Sequence, residues 1–181
     1  GNGKLASLAE AAELARGVAR VALGGWSFSR RPLAVAMHWA AHGLRFDELL
    51  VLIGGIETDL LVAAGVAQRV RGFYLGMEAL GMGPGLKGGY EVIEETETSL
   101  MLGLTAAVEG QSFLPLPARH AVALRQVRPD LKSLRCPYTG EEPLAIPPLP
   151  IDVAYIHAWR ADRRGNAVLG VPAASGIPEV I

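Results

Sequence analysis

The sequence predicts an α/β fold, a mostly parallel sheet with flanking helices. Three observations lead there. Apolar runs of strand length alternate with amphipathic stretches of helix length. Glycine pairs, Gly24-Gly25 and Gly54-Gly55, close two of those runs where the chain must turn. No internal repeat and no linker interrupts the order, so 1–181 reads as a single domain.

The elements follow in order. Leu5–Arg16 carries apolar residues at Leu5, Leu8, Ala12, Leu14 and Ala15 among good helix formers, which predicts an amphipathic helix. Val18–Leu23 is a short β run. Arg31–Ala41 predicts a second helix, with Pro32 acceptable in its first turn. Leu49–Ile53 is a fully apolar strand, and Thr58–Ala64 a brief helix with Thr58 as its N-cap. Arg69–Leu75 alternates as a strand does. Gly76–Gly89 holds six glycines and a proline, hence a loop. Tyr90–Ile93 predicts a strand and Ser99–Glu109 a helix. Phe113–Arg119, with two prolines, reads as a connection; a strand is expected around Leu134, another at Leu144–Ile146, and a last one within Asp152–Ala158.

Composition narrows the function. Half of the residues are apolar and 19% are charged, which opposes disorder. The net charge of −1 provides no field to attract nucleic acid or a membrane surface. The apolar run Leu49–Ile56 is far short of the roughly 18 residues of a membrane helix. Lys4 is followed by a mixed Ala/Leu/Glu stretch rather than an apolar signal region. A soluble cytoplasmic protein is the expectation. The single Cys136 excludes an intramolecular disulfide and a multi-cysteine zinc site, and is expected as a small buried residue on a strand. His38 and His42 have metal-compatible i, i+4 spacing but no third ligand nearby in sequence, so no metal site is expected.

Three segments carry possible chemistry. Gly24-Gly25-Trp26-Ser27-Phe28-Ser29-Arg30-Arg31-Pro32 joins a strand to a helix, where backbone N–H groups and the two arginines suit an anion, although a plain structural turn explains the glycines too. Asp59 reads as a helix-start residue. Glu94, Glu95 and Glu97 lie between a strand and a helix; two of the three are expected to be solvated charges that complement the helix dipole. In Ala161-Asp162-Arg163-Arg164-Gly165-Asn166, Asp162 can accept from the backbone two residues on and Gly165 can take a positive φ, which predicts a tight turn.

That last segment, with Ala158 and Arg160, resembles the Ala-x-Arg-Ala-Asp-x-x-Gly-Asn signature of the A-type (α) subunit of class I CoA-transferases. The first loop is similar to the family's Gly-Gly-Phe/Trp-Gly loop, with Ser27 in place of the third glycine. Aligning Ser99-Leu100 with the Thr-Leu of the family's Pro-Gln-Gly-Thr-Leu motif puts Glu97 on its glutamine. Glutamate there, with Trp26, Arg30-Arg31-Pro32 and Phe113-Leu114-Pro115, resembles the steroid-catabolic acyl-CoA ring-opening hydrolases, a subgroup near the glutaconate-type α subunits.

The resemblance implies a CoA-transferase-like fold, which the sugar-phosphate isomerases of the ribose-phosphate isomerase type share. It implies an enzyme acting on acyl-CoA with a B-type partner subunit in a heterotetramer, CoA thioester being substrate and no cofactor being held. It puts Glu97 in the catalytic position and Gly24, Gly25, Trp26, Ser27, Arg30 and Arg31 near the acyl-CoA. CoA transfer to a carboxylate and hydrolytic ring opening both stay open, with a glutamate favouring hydrolysis because it accepts a proton rather than donating one. Family members continue past Asn166 with a further strand and helix, so a C-terminally incomplete domain is one expectation and a trimmed variant the other. The alternatives are a sugar-phosphate isomerase or deaminase of the same fold, thinly supported by three lysines, and a non-catalytic scaffold subunit.

Overall fold

The computed structural model describes residues 4–26 and 28–169. The chain opens with α1 (Leu8–Glu13), shorter at both ends than the predicted Leu5–Arg16. A reciprocal capping box between Ser7 and Glu10 fixes its start, and Gly17 at φ 74° turns the chain away soon after its end. Then come β1 (Arg20–Leu23), α2 (Leu33–His42), β2 (Phe46–Val51), β3 (Ile53–Gly54) and α3 (Ile56–Ala63). Gly55, not Thr58, is the N-cap of α3. The glycine pair lets the helix begin at once, and Thr58 is buried in its first turn.

β4 (Ala67–Gly72) and β5 (Tyr74–Leu75) divide the predicted Arg69–Leu75 strand, just as β2 and β3 divide the one before it. The glycine-rich loop follows, with two short 3₁₀ turns at Glu78–Leu80 and Gly85–Lys87. Asp59 Oδ1 anchors this loop by accepting from Leu86 N at 3.0 Å. Gly83 and Gly85 pass so close that an added Cβ would stand 2.3 Å from Asp59 Oδ1 and 2.2 Å from Asp59 O, respectively.

β6 (Glu91–Glu94) leads into α4 (Glu97–Glu109), which Thr96 caps. β7 (Leu114–Leu116) occupies the segment expected to be a mere connection. It pairs antiparallel with β9 (Leu144–Ile146) at the edge of a small sheet, the position that tolerates Pro115. Between them lie α5 (Val122–Val127), which periodicity did not reveal, and β8 (Lys132–Ser133). Cys136 is not the buried strand residue expected. It is half-exposed and starts a turn in which Gly140 N donates to its carbonyl at 2.9 Å. A side-chain hydrogen bond from Thr139 holds its thiol below the ordinary value.

β10 (Val153–Tyr155) and the hairpin of β11 (Arg160–Ala161) and β12 (Ala167–Val168) complete the described chain. The hairpin turn forms as predicted: Asp162 accepts from Arg164 N, Asn166 N and Asn166 Nδ2 at 2.8, 2.9 and 2.7 Å, with Gly165 at φ 93°.

The central sheet has the order β10-β1-β2-β4-β6, with every neighbouring pair parallel. Alternation along the strands sends Val21, Leu23, Leu49, Val51 and Val70 to one face, under α1, α2 and α3. Trp39 anchors that layer. It is fully buried, donates from Nε1 to Ala12 O at 3.0 Å, and meets Phe46 and Tyr155 edge-on at ring distances of 5.4 and 4.9 Å. Ala22 and Leu50 face the other way, onto Leu100 and Leu104 of α4. Helices therefore cover both faces, as the sequence predicts. The small β7-β9-β8 sheet and α5 close a further cluster around Leu116, Leu124 and Leu144, against which Leu102 of α4 packs.

Candidate functional site

Five parallel strands bring their carboxyl ends to one rim, and the succession of strands reverses direction only beside β1. Such a rim at a switch of direction is where open α/β sheets bind ligands. The loop leaving β1 stands at that switch: Gly24 N donates to Tyr155 O at 2.9 Å across it. Gly25 has φ 131°, and a Cβ there would lie 3.0 Å from Arg30 O, so the close approach requires glycine. Trp26 and Ser29 exchange backbone hydrogen bonds of 3.1 and 2.8 Å and close the loop on itself. Ser27 lies outside the described residues. Arg30 holds a left-handed backbone at φ 56°, a strained conformation for a residue with a side chain.

The two arginines part company. Arg30 is half-buried at the loop. Arg31 turns inward, its side chain 5% exposed, and donates from Nη1 to Ile53 O at 2.5 Å and to Glu57 Oε1 at 3.0 Å. Glu57 is fully buried and also accepts from Gly55 N at 3.3 Å and Thr58 Oγ1 at 3.1 Å. Among the described residues its Oε2 has no hydrogen-bond partner. The pair thus ties the loop after β1 to the loop after β3.

At the far end of the rim, β6 delivers Glu94, Glu95, Thr96 and Glu97. Glu95 is buried. Its Oε1 accepts from Arg71 Nη1 at 2.6 Å and from Arg128 Nη1, and its Oε2 from Ser99 Oγ at 2.6 Å. Thr96 Oγ1 accepts from Ser99 N at 3.0 Å while Thr96 N donates to Ser99 Oγ at 2.9 Å, which starts α4 firmly. Glu97, the first residue of α4, is exposed, and among the described residues its side chain makes no hydrogen bond or ion pair. Glu94 is exposed as well. Two of the three carboxylates thus face solvent, in line with the sequence. The sequence could not reveal that Glu95 is the one withdrawn, because its partners come from β4 and from the end of α5.

Glu97 and the Gly24-Gly25-Trp26 loop share the rim but not a point on it. β2 and β4 separate β1 from β6, so at about 4.8 Å per strand step those two strands lie about 14 Å apart. On one flank of the rim, a groove of about 380 Å³ runs between Phe73 and Leu75 and the glycine-rich loop, lined also by Met82, Lys87, Tyr90, Val92 and Glu94. Sequence reasoning missed Lys87 and Glu57, which no motif marks. A broader open cleft of about 1110 Å³ lies at the opposite, amino-terminal edge, around Ala19, Asp47 and Arg69. None of the residues nominated from sequence line it.

No family model matches the chain. It is 30% identical over 146 residues to the A-type subunit of a 3-oxoadipate CoA-transferase of Pseudomonas knackmussii, covering 76% of this chain and 52% of that protein. It is 28% identical over 179 residues to the cholesterol ring-cleaving hydrolase IpdA subunit of Mycobacterium tuberculosis, covering 91% and 60%. Among solved structures, that of a decarboxylase AibA/AibB variant superposes with a TM-score of 0.81 at 29% identity, over 90% of this chain and 64% of that one. The chain spans about half to three-fifths of the length of these curated relatives.

Proposed function

We propose that this chain is an A-type subunit of the CoA-transferase family and forms with a B-type partner an enzyme acting on an acyl-CoA thioester. Its own share of the site is the carboxyl rim of the parallel sheet. One observation carries the assignment of Glu97: it is an exposed carboxylate without an intramolecular partner among the described residues, presented as the first residue of α4 directly after Glu95 and Thr96, whose side chains are held by hydrogen bonds.

A carboxylate there repels an oxyanion and accepts a proton, so hydrolysis suits it better than CoA transfer. Water attacks a carbonyl carbon of the bound acyl-CoA, and its proton passes to Glu97 Oε. When the tetrahedral adduct collapses, the bond to the leaving carbon or sulfur breaks with its electron pair. The proton then leaves Glu97 for that group. Gly24, Gly25, Trp26, Ser27 and Arg30 form the anion-binding end, where a strand-to-helix junction and a cation favour phosphate. Arg31, paired with Glu57, sets the shape of that loop from behind. The three strand steps between the two ends suit an elongated thioester. The groove beside Glu94 is the acyl end of the same proposal. A single A-type domain over 1–181, a heterotetramer and a cytoplasmic site of action belong to it too.

Substitution of Glu97 in the assembled complex tests the reading. Glu97→Gln keeps the shape, removes the base, and is expected to lower hydrolytic kcat by about 10²–10⁴ with assembly intact. Full hydrolytic activity in Glu97→Gln would return Glu97 to the role of a solvated helix-start carboxylate.

A further inference from the structure

The buried carboxylate two residues before Glu97 is bound more elaborately than a helix start requires. Thr96 and Ser99 already satisfy each other's backbone and side-chain groups, and that alone caps α4. Ser99 has one hydroxyl proton, and its shortest acceptor is Glu95 Oε2 at 2.6 Å. Glu95 N donates to Gly72 O at 3.1 Å, which extends the pairing of β6 with β4 beyond the strand. Glu95 Oε1 takes two guanidinium donors, Arg71 from the central sheet and Arg128 from the end of α5. Arg71 is itself held by Glu48, its Nε donating to Glu48 Oε1 at 2.7 Å, and Arg128 by Asp130 at 2.8 Å. The turn from Glu94 to Ser99 is thereby clamped from the sheet, from α4 and from the small sheet's subassembly. Burying charges at this density is a poor way to gain stability, since desolvation offsets most of the attraction. It is a good way to fix one geometry.

We propose that Glu95 is a positioning residue: by joining Arg71, Arg128 and Ser99 it fixes the backbone from which Glu97 reaches the substrate. This rests on Glu97 acting as the base. The carboxylate does no chemistry itself, being enclosed by its three donors. Its effect is on the placement of Glu97, where a displacement of about 1 Å costs on the order of 10²-fold in rate.

The test is steady-state kinetics of the complex with its B-type subunit, using one acyl-CoA that the wild type turns over. Glu95→Gln keeps the size of the side chain but cannot accept at both oxygens. It is expected to lower kcat by about 10²-fold and leave KM within about twofold, with the assembly intact. On the residual rate of Glu97→Gln, adding Glu95→Gln is expected to change kcat by less than about twofold, because the group it positions is gone. An unchanged kcat in Glu95→Gln overturns the proposal. So does a fall in which KM and assembly fail together, and so do losses that multiply in the double variant. If Glu95→Gln does not fold, Arg128→Gln takes its place: it removes one of the two guanidinium donors to Glu95 Oε1 and leaves the cap of α4 intact, and is expected to lower kcat about tenfold at constant KM, with no change in either parameter overturning the proposal. Full activity in Glu97→Gln alone overturns the base assignment instead, so the two failures are distinguishable.

Discussion

Glu97, Arg30 and Arg31 are adjacent in importance by sequence but differ in circumstance. In the proposed site Arg30→Ala removes one charge-assisted contact to the acyl-CoA, and is expected to raise KM about tenfold or more, with little change in kcat. A steady-state comparison checks it. Arg31→Ala instead leaves Glu57 buried without its guanidinium, and breaking a buried pair in this way costs about 3–5 kcal/mol. Thermal or urea unfolding should register that loss as a clear drop in midpoint. The sequence showed both arginines at a strand-to-helix junction. It could not show which one turns inward, because Glu57 lies 26 positions on and only the packing of two loops makes them neighbours. Motif spacing nominates Glu97, and the exposure of two of the three carboxylates was legible beside it; the withdrawal of Glu95 was not, for the same reason.

The elements answer to burial and charge in ways that can be measured. Trp39 fills the layer between the sheet and α1–α2, and Trp39→Ala is expected to cost about 3–5 kcal/mol of unfolding free energy. Glu48, on β2, is pulled both ways. Burial pushes its carboxyl up, but the Arg71 hydrogen bond and the attraction of Arg71 and Arg20 together bring it below its ordinary 4.5. A lowered folded-state value contributes stability above the unfolded value, and that contribution is lost as pH falls through the folded one. The difference in unfolding free energy between the wild type and Glu48→Gln should therefore be largest above about pH 5 and narrow below about pH 4.5. A difference independent of pH would mean that the Arg20–Glu48–Arg71 contacts contribute nothing through charge. Elements with a long apolar run or enough helix-length sequence, such as β2 and α4, could be read from sequence. β7 could not, because two prolines hide a strand that only an edge position in a second sheet permits. Nor could α5, whose six residues are too few to show a period.

For the whole molecule, the parallel sheet covered on both faces follows from alternation of apolar runs, and its strand order puts the proposed ends of the site on one rim. What the rim lacks is as informative as what it holds. Among the residues nominated there, one exposed carboxylate and a loop proposed to bind an anion do not make a complete set of nucleophile, base and oxyanion donors. The A-type reading assigns the remainder to a B-type subunit. The most direct measurement is acyl-CoA turnover by the purified chain alone and by the chain reconstituted with the proposed B-type subunit, over one panel of acyl-CoA thioesters. The account predicts no turnover above background by the lone chain and clear turnover by the pair. Comparable activity in the lone chain, or none in a well-formed pair, would contradict it.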